Sequence, residues 1–288
     1  MSSRAEHIDP AALRAWPLPD PGDSKYGRGQ VLIVGGTRRS PGAAILAGVA
    51  SLRVGAGRLG LAVGDSVAVA IATQVPEGAV MGLPETSAGT IDGSCLSAAS
   101  ADLADADAVL VGPGLDDPDE ATAMLRSLSG LVSSSATVVL DAFALGVAPR
   151  AAEDLAALSG RLVLTPNKTE AALLLDIEED ELDLGRDIPR IADEYGAAVT
   201  CYGTIAGPGG ELFEITAGGA GLGTSGSGDV LAGAITGFAA RGASPAQAAV
   251  YGTWVHAISG DRLSARIGAL GFLARELADE LPRALGDL

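Results

Sequence analysis

The sequence is poor in the residue types on which several common kinds of site depend. Its 288 residues include two cysteines, Cys95 and Cys201, which are far apart and belong to no C-x-x-C motif. A disulfide framework and a cysteine zinc site are therefore excluded, and both cysteines are expected to be packing residues in a reducing compartment. Histidine is equally scarce, because only His7 and His256 occur. Neither shows metal-ligand spacing, so we predict no protein-bound metal.

Long apolar runs and basic residues are also missing. No apolar stretch reaches the length of a membrane span, and no basic segment followed by an apolar run stands at the N-terminus. The formal net charge is −17 at pH 7, and the two lysines are Lys25 and Lys168. Such a charge argues against nucleic acid or a membrane surface as a partner. We expect a cytoplasmic protein that binds neither.

Small and aliphatic residues dominate what is present. Hydrophobic residues make up 48% of the chain and aromatic residues 3%, with 40 glycines. Short apolar strands alternate with helical patterns from Val31 onward, at the spacing of βαβ units. This alternation predicts an α/β fold with a mostly parallel central sheet and helices on both faces. Residues 1–24 are predicted to form an N-terminal arm, and residues 25–288 a single domain.

Three consecutive predicted strands end in turns with a glycine or polar signature. A Gly-Pro-Gly turn follows the first at residues 112–114, Asp141 begins the turn after the second, and a Thr-Pro-Asn turn follows the third at residues 165–167. In open parallel sheets, ligands bind beyond the carboxyl ends of the strands. The sequence therefore predicts a ligand site at this edge of the sheet.

Four basic residues flank the first predicted strand: Lys25, Arg28, Arg38 and Arg39. One interpretation is that they gather where the strand ends and meet an anion. The alternative is ordinary solvated surface charge, and the spacing does not decide between the two.

The most informative stretch is the glycine-rich segment 221–233, which runs into an apolar helical pattern. Its glycines permit positive φ and close backbone approach, and the first N–H groups of the following helix lack partners within that helix. A turn of this kind binds phosphate oxygens. A carboxylate beside an anion site is useful as a general base, so Asp229 is interpreted as that base. A helix-capping role for Asp229 is the alternative, and the Ser, Gly and Asp order favours catalysis.

Five motifs occur in an order that resembles a known family. They are Lys25-Tyr26-x-Arg28-Gly29, Gly112-Pro113-Gly114, Asp141-Ala-x-Ala-Leu, Thr165-Pro166-Asn167-x-x-Glu170 and Gly226-x-Gly228-Asp229-x-Leu-x-Gly233. Each is weak alone, but the ordered set resembles the ADP-dependent (S)-NAD(P)H-hydrate dehydratase family over about residues 25–282. The resemblance implies a ribokinase-like three-layer α/β/α sandwich.

The resemblance also implies an activity. The family repairs NADH and NADPH in which water has added to C6 of the nicotinamide ring. The C6 hydroxyl would be phosphorylated by ADP, giving AMP, or by ATP, and the ring nitrogen would then expel phosphate, a better leaving group than hydroxide. This is a hydro-lyase reaction. Magnesium is expected to arrive with the nucleotide, and a homo-oligomer, either a dimer or a tetramer, is usual for the resemblance.

The resemblance assigns roles to the residues of these motifs. Asp229 would be the catalytic base, and the N–H groups of Gly226–Gly228 would stabilise charge on the transferred phosphoryl group. Substrate contacts are implied for Ala43, Gly112, Gly114, Asp141, Asn167, Glu170 and Asp229. Nucleotide contacts are implied for Tyr202, Gly203, Thr204, Thr224, Gly226, Ser227 and Gly228.

The chain departs from the family at Tyr202, where relatives usually carry a lysine before a glycine. A phosphate-contacting cation is therefore expected to be missing there, which leaves the choice of ADP or ATP open. Two other functions stay in view: a ribokinase-like small-molecule kinase acting on a hydroxyalkyl heterocycle, and a catalytically inactive nucleotide-binding protein. The Asp229 motif serves the dehydratase and the kinase equally, whereas the Lys25-Tyr26 and Thr165-Pro166-Asn167 motifs favour the dehydratase.

Overall fold

A computed structural model describes residues 5–20 and 22–288. The strands in this part of the chain are β1 (Glu6–His7), β2 (Gln30–Val34), β3 (Arg58–Gly64), β4 (Gly78–Leu83), β5 (Ala108–Val111), β6 (Thr137–Leu140), β7 (Leu162–Leu164), β8 (Ala197–Cys201), β9 (Thr204–Ala206) and β10 (Leu212–Glu214). They form one sheet in the order β1-β10-β9-β8-β7-β6-β5-β2-β3-β4. Within it β9 runs antiparallel to both neighbours and the other pairs are parallel. The predicted, mostly parallel sheet is confirmed.

Helices cover the sheet, and several begin at sequence signals that are readable in advance. Asp9, Asp117 and Ser244 each cap a helix through the side chain, and each is followed directly by proline. The helices of the described residues are α1 (Pro10–Ala15), α2 (Pro41–Arg53), α3 (Asp65–Gln74), α4 (Ser100–Asp105), α5 (Pro118–Leu128), α6 (Phe143–Val147), α7 (Ala152–Leu155), α8 (Lys168–Leu174), α9 (Leu184–Tyr195), α10 (Ser227–Ala240), α11 (Pro245–Ile267) and α12 (Ala274–Gly286). Across residues 5–20 and 22–288, none of these is both long and apolar enough to traverse a lipid bilayer.

Alternation along the strands divides the apolar residues between two cores. In β2, Val31 and Ile33 belong to one core and Leu32 and Val34 to the other, because successive side chains point to opposite faces. The first core is packed by α2, α3 and α10 to α12, and the second by α4 to α9. Two buried faces require three layers, which confirms the α/β/α sandwich.

The segment predicted as an N-terminal arm contributes β1 and α1 to this body. β1 pairs with β10, Leu13 is fully buried, and the Trp16 ring stacks on Phe213 with centroids 5.7 Å apart. The Tyr251 hydroxyl donates hydrogen bonds to the carbonyl oxygens of Leu13 and Trp16, at 2.8 and 3.0 Å. We propose that the domain begins at β1. The arm prediction for residues 1–4 and 21 lies outside the described residues.

The chain changes direction across the sheet at β2. From β2 it proceeds outward to β3 and β4, and it then returns to β5 on the opposite side of β2. The carboxyl ends of β2 and β5 therefore flank a topological switch point, which is where open α/β sheets bind ligands. The carboxyl ends of β6 and β7 continue the same edge.

Of the two interpretations of the four basic residues, the one in which they gather at one strand end is not what the structure shows. Lys25 and Arg28 precede β2 and lie at the amino edge of the sheet, where Lys25 packs near Gly57 and both Lys25 and Arg58 lie over the Tyr26 ring. Arg38 and Arg39 follow β2 at the carboxyl edge. The length of a strand separates the two pairs, and spacing along the chain could not show this.

Candidate active site

The glycine-rich turn leads into α10 as predicted. Gly226 is the N-cap of α10 at φ +86°, in the left-handed region. A Cβ at this position would lie 2.5 Å from Leu46 Cδ1 and 3.1 Å from Ala274 Cβ, so both backbone conformation and space require glycine. No side chain caps α10 in the described part of the chain. The Ser227 N–H donates to the Thr224 carbonyl oxygen at 3.1 Å, whereas the N–H groups of Gly228 and Asp229 have no backbone partner among the described residues and fit an anion such as phosphate.

A cavity of about 640 Å³ opens beside this turn. Its walls come from the β7–α8 turn, the β8–β9 turn, the segment 217–223, and the facing sides of α10 and α11. Of the predicted nucleotide contacts, Tyr202, Gly203, Ser227 and Gly228 line the cavity, together with Asn167 from the predicted substrate contacts. Thr204, the first residue of β9, and Thr224 and Gly226, which precede α10, do not form its wall, so their contacts remain predictions.

Other cavity residues were not predicted. Thr200 and Thr253 line it side by side, with their hydroxyl oxygens in hydrogen-bond contact at 2.8 Å, and His256 lies one helical turn beyond Thr253. These residues come from β8 and α11, which are distant in sequence, and no local pattern connects them. The segment 217–220 did carry a signal, because it continues the glycine-rich run toward the N-terminus.

Asp141, Glu170 and Asp229 are acidic residues near the cavity, although none of them forms its wall. Asp141 follows β6 with 5% of its surface exposed, and Thr165 Oγ1 donates a 2.7 Å hydrogen bond to its Oδ1. Burial raises the pKa of Asp141 to about 6, although that hydrogen bond acts in the opposite direction. Burial raises the pKa of Asp229 to about 7, and the charge of Asp141 adds to the effect. The two carboxyl groups are thus close enough to sense each other's charge.

Glu170, in the first turn of α8, is a third carboxyl group near Asp141. Its Oε2 accepts a hydrogen bond from the Asn167 N–H, and Asn167 Oδ1 accepts one from the Glu170 N–H, both at 2.9 Å. This reciprocal pair is a capping box, which the Asn-x-x-Glu spacing encodes locally. Burial raises the pKa of Glu170 to about 7. The hydrogen bond from the Asn167 N–H lowers this pKa, and the negative charge of Asp141 raises it further. One role of both residues is therefore to start α8, and their substrate contacts remain predictions.

The glycines after β5 have a packing role. A Cβ on Gly112 would overlap the Asp141 carbonyl oxygen, and one on Gly114 would overlap the Ser40 carbonyl oxygen. The close approach that glycine permits here is between neighbouring turns of the protein, whereas the prediction assigned it to substrate. Ala43, in the half-buried first turn of α2, lies at the same edge of the sheet. Contact of these three residues with substrate remains a prediction.

Tyr202 has an unexpected neighbour. It lies in the β8–β9 turn at φ +48° with 71% of its surface exposed. The Nζ atom of Lys168, from the first turn of α8, lies 5.4 Å from the centroid of its ring. The position at which the sequence predicted a missing cation is therefore next to one of the two lysines of the chain.

His256 connects α11 to the start of α10. Its Nε2 atom lies 3.0 Å from both Ser227 Oγ and the Ser227 carbonyl oxygen. Burial lowers the pKa of His256 to about 4, so the ring is neutral at pH 7. The sequence interpretation of His256 as a packing residue omits this contact with Ser227, the first residue of α10. Throughout the described ranges, no three His, Cys, Asp or Glu side chains group closely enough to hold a metal ion.

Fold and site together define a ribokinase-like α/β protein whose cavity suits a phosphate-bearing ligand. The family model described as NAD(P)H-hydrate dehydratase matches residues 31–283. The chain belongs to the NAD(P)H-hydrate dehydratase family. It is 42% identical over 290 residues to the ADP-dependent (S)-NAD(P)H-hydrate dehydratase of Xanthomonas campestris, covering 99% of this chain and 98% of the relative. It spans about half the length of several bifunctional NAD(P)H-hydrate repair enzymes that it also matches.

Solved structures show the same fold. A ribokinase-like superfamily protein from Enterococcus faecalis superimposes with a TM-score of 0.81 at 23% identity, covering 98% of this chain and 96% of that one. An ADP/ATP-dependent NAD(P)H-hydrate dehydratase from Bacillus subtilis, co-crystallised with ATP/Mg2+ and soaked with CoA, gives a TM-score of 0.77 at 24% identity, covering 99% of both chains. The ribokinase-like fold predicted from the sequence motifs is thus confirmed.

Proposed function

We propose that this protein dehydrates the S-hydrate of NADH and NADPH with ADP as the phosphoryl donor. The observation that carries the proposal is the position of Asp229, a carboxyl group with a raised pKa in the first turn of an uncapped helix beside a 640 Å³ cavity. Family membership supports the substrate class. The choice of ADP is supported by the printed name of the Xanthomonas relative.

The first step is phosphorylation of the C6 hydroxyl. Asp229 accepts the hydroxyl proton while the oxygen attacks the terminal phosphorus of ADP, and the bond from that phosphorus to the AMP oxygen breaks. A base with a pKa of about 7 is partly deprotonated at neutral pH and still basic enough to take the proton. The N–H groups of Gly226 and Gly228 and the α10 dipole stabilise the negative charge on the phosphoryl oxygens, whereas the Ser227 N–H is occupied by the Thr224 carbonyl oxygen.

The second step is loss of phosphate. The ring nitrogen donates its electron pair toward C6, the C6–O bond breaks, and phosphate leaves. Loss of the C5 proton then restores the C5–C6 double bond of the dihydropyridine. The sum is hydrate plus ADP giving reduced nicotinamide nucleotide, AMP and phosphate, so the water is consumed in cleaving ADP.

Some accompanying features are part of the proposal. Magnesium would be held mainly by the nucleotide phosphates, since the described residues provide no three-ligand cluster, and the Bacillus structure was co-crystallised with ATP/Mg2+. Asp141 and Glu170 could contact it through water. We also propose a homodimer or homotetramer, which Ala-rich helices permit, acting in the cytoplasm.

The test follows the absorption band of reduced nicotinamide as the hydrate is incubated with enzyme, magnesium and either ADP or ATP. We expect the band to return with ADP and AMP to accumulate in equal amount. No return with either nucleotide, in a protein that binds nucleotide, would contradict the dehydratase and favour the kinase or the inactive binder. Phosphorylated hydrate accumulating without dehydration would contradict the second step alone.

A further inference from the structure

Lys168 occupies a position that helix stability does not explain. It is the first residue of α8, where the positive end of the helix dipole disfavours a cation. Of the 19 basic residues of the chain, all but Lys25 and Lys168 are arginines. Lys168 is exposed, and across the described residues no carboxylate lies within 4 Å of its Nζ atom. A positive charge is thus held at an unfavourable helix end without a protein anion to neutralise it.

The surroundings of Lys168 belong to the cavity. The preceding residue, Asn167, and the residue beneath the ammonium group, Tyr202, both line its wall. Tyr202 and Gly203 are the two loop residues of the β8–β9 hairpin, and both have the positive φ that such a tight turn requires. The N-terminal turn of α10 lines the same cavity through Ser227 and Gly228. Lys168 does not itself form the wall, but its ammonium group lies beside Tyr202, which does. Lys168 and the α10 N-terminus are therefore two separate positive groups at the border of one space.

We propose that Lys168, steadied by the Tyr202 ring, binds the phosphate groups of the nucleotide. The ammonium group carries three donors on a flexible stem, and its distance over the ring leaves those donors available for oxygen ligands. The ligand class is a nucleoside di- or triphosphate, with phosphate oxygens held between Lys168 and the first turn of α10. This inference rests on the proposed function for the identity of the nucleotide.

The chain provides a matched control. Lys25 lies over Tyr26 with the same 5.4 Å separation of Nζ and ring centroid, but at the amino edge of the sheet. Lys25→Met removes the same charge and the same lysine–tyrosine contact outside the cavity. A difference between Lys168→Met and Lys25→Met therefore reports on location and not on the loss of a lysine in general.

The experiment measures by calorimetry the Kd of the intact protein for magnesium ADP and for adenosine. We expect Lys168→Met to weaken ADP binding about tenfold, the size of one exposed charge-assisted hydrogen bond, and to leave adenosine binding unchanged. Lys25→Met should bind both as the wild type does. Unchanged ADP affinity in Lys168→Met, or an equal loss for ADP and adenosine, would overturn the assignment to phosphate.

A second variant tests the charge itself. In Lys168→Met, the further change Tyr202→Lys returns a cation to the same part of the cavity wall and should recover most of the ADP affinity. A double variant that binds ADP no better than Lys168→Met would contradict the inference. Because binding is measured without turnover, a protein that binds ADP through Lys168 yet fails to dehydrate would overturn the proposed function alone.

Discussion

The proposed catalytic base, Asp229, is subject to two requirements that oppose each other. A general base must be deprotonated to act, whereas burial and the neighbouring Asp141 both disfavour its charged form. The result is a pKa of about 7 for a carboxyl group, compared with an ordinary value of about 4. The folded protein therefore binds a proton at Asp229 between about pH 4 and pH 7 that the unfolded chain has already released. The contribution of Asp229 to the unfolding free energy therefore falls as pH rises through this window and is constant above it.

Replacement of Asp229 by asparagine should separate catalysis from stability. We expect Asp229→Asn to lose turnover and yet gain about 2–4 kcal/mol of unfolding free energy at pH 8, because the cost of the buried charge disappears. The gain should vanish near pH 4, where the wild-type carboxyl is protonated. Denaturant unfolding at both pH values measures this, with the exposed Asp193→Asn as the control. Near-normal turnover in Asp229→Asn would refute the assigned base, and wild-type kcat/KM that does not fall below about pH 7 would argue against it independently.

Local patterns account for part of the site. The Asn167 and Glu170 pair and the glycine turn before Asp229 are encoded within a few consecutive residues, so sequence reasoning finds them. Thr200, Thr253 and the Ser227–His256 contact arise between elements that meet only in the fold. The Lys168–Tyr202 pair is of the same kind, because its two members are separated by the whole of α9 and β8.

Among the secondary-structure elements, α10 has the largest part in building the site. Its N-terminus points into the cavity, and its body packs against α2 and α11 in one of the two cores. Small residues permit that packing, because a Cβ on Gly233 or Gly237 would overlap the α2 carbonyl oxygens of Ala47 or Ser51. A change at the first turn can therefore act on stability, on ligand binding, or on both, according to which way the new side chain points.

Two glycines of this turn should respond differently to alanine. Gly226→Ala places a Cβ against Leu46 and Ala274 at positive φ, and we expect it to destabilise the fold by about 2–4 kcal/mol. A Cβ on Gly228 meets no protein atom within 4 Å and projects at the cavity wall, so Gly228→Ala should keep wild-type stability and bind ADP more weakly. Thermal unfolding and calorimetry on both variants test this. Equal stability losses would contradict the assigned geometry.

At the scale of the whole molecule, the order of strands and helices was largely predictable, and the edges of the sheet were not. The central strands are short apolar runs bounded by glycine or polar turns. At one edge β4 (Gly78–Leu83) is half-buried and lacks clear alternation, and at the other β1 has two residues, too few for a pattern. Helix α5 is absent from the sequence prediction even though Asp117 and Pro118 form a readable start signal.

The N-terminal segment should contribute to global stability if it belongs to the domain. Leu13 is fully buried in the core, so we expect Leu13→Ala to lower the unfolding free energy by about 3 kcal/mol through lost burial and a cavity. Leu270→Ala removes the same atoms from a side chain that is 71% exposed and should have little effect. Denaturant midpoints of both variants decide the matter. An unchanged midpoint for Leu13→Ala would mean that residues 1–24 fold as a separate arm.

The three carboxyl groups of the site have a thermodynamic consequence for ligand capture. Asp141, Glu170 and Asp229 have pKa values of about 6 to 7, so near neutral pH they hold protons only part of the time. An anionic phosphate arriving beside them favours their protonated forms, and its binding is therefore coupled to proton uptake from the buffer. Protonation of these carboxyl groups would reduce the negative charge near a bound anion, in a protein whose formal net charge is −17. If nucleotide binds at this edge of the sheet as proposed, we expect nucleotide binding and proton binding to be a single linked equilibrium.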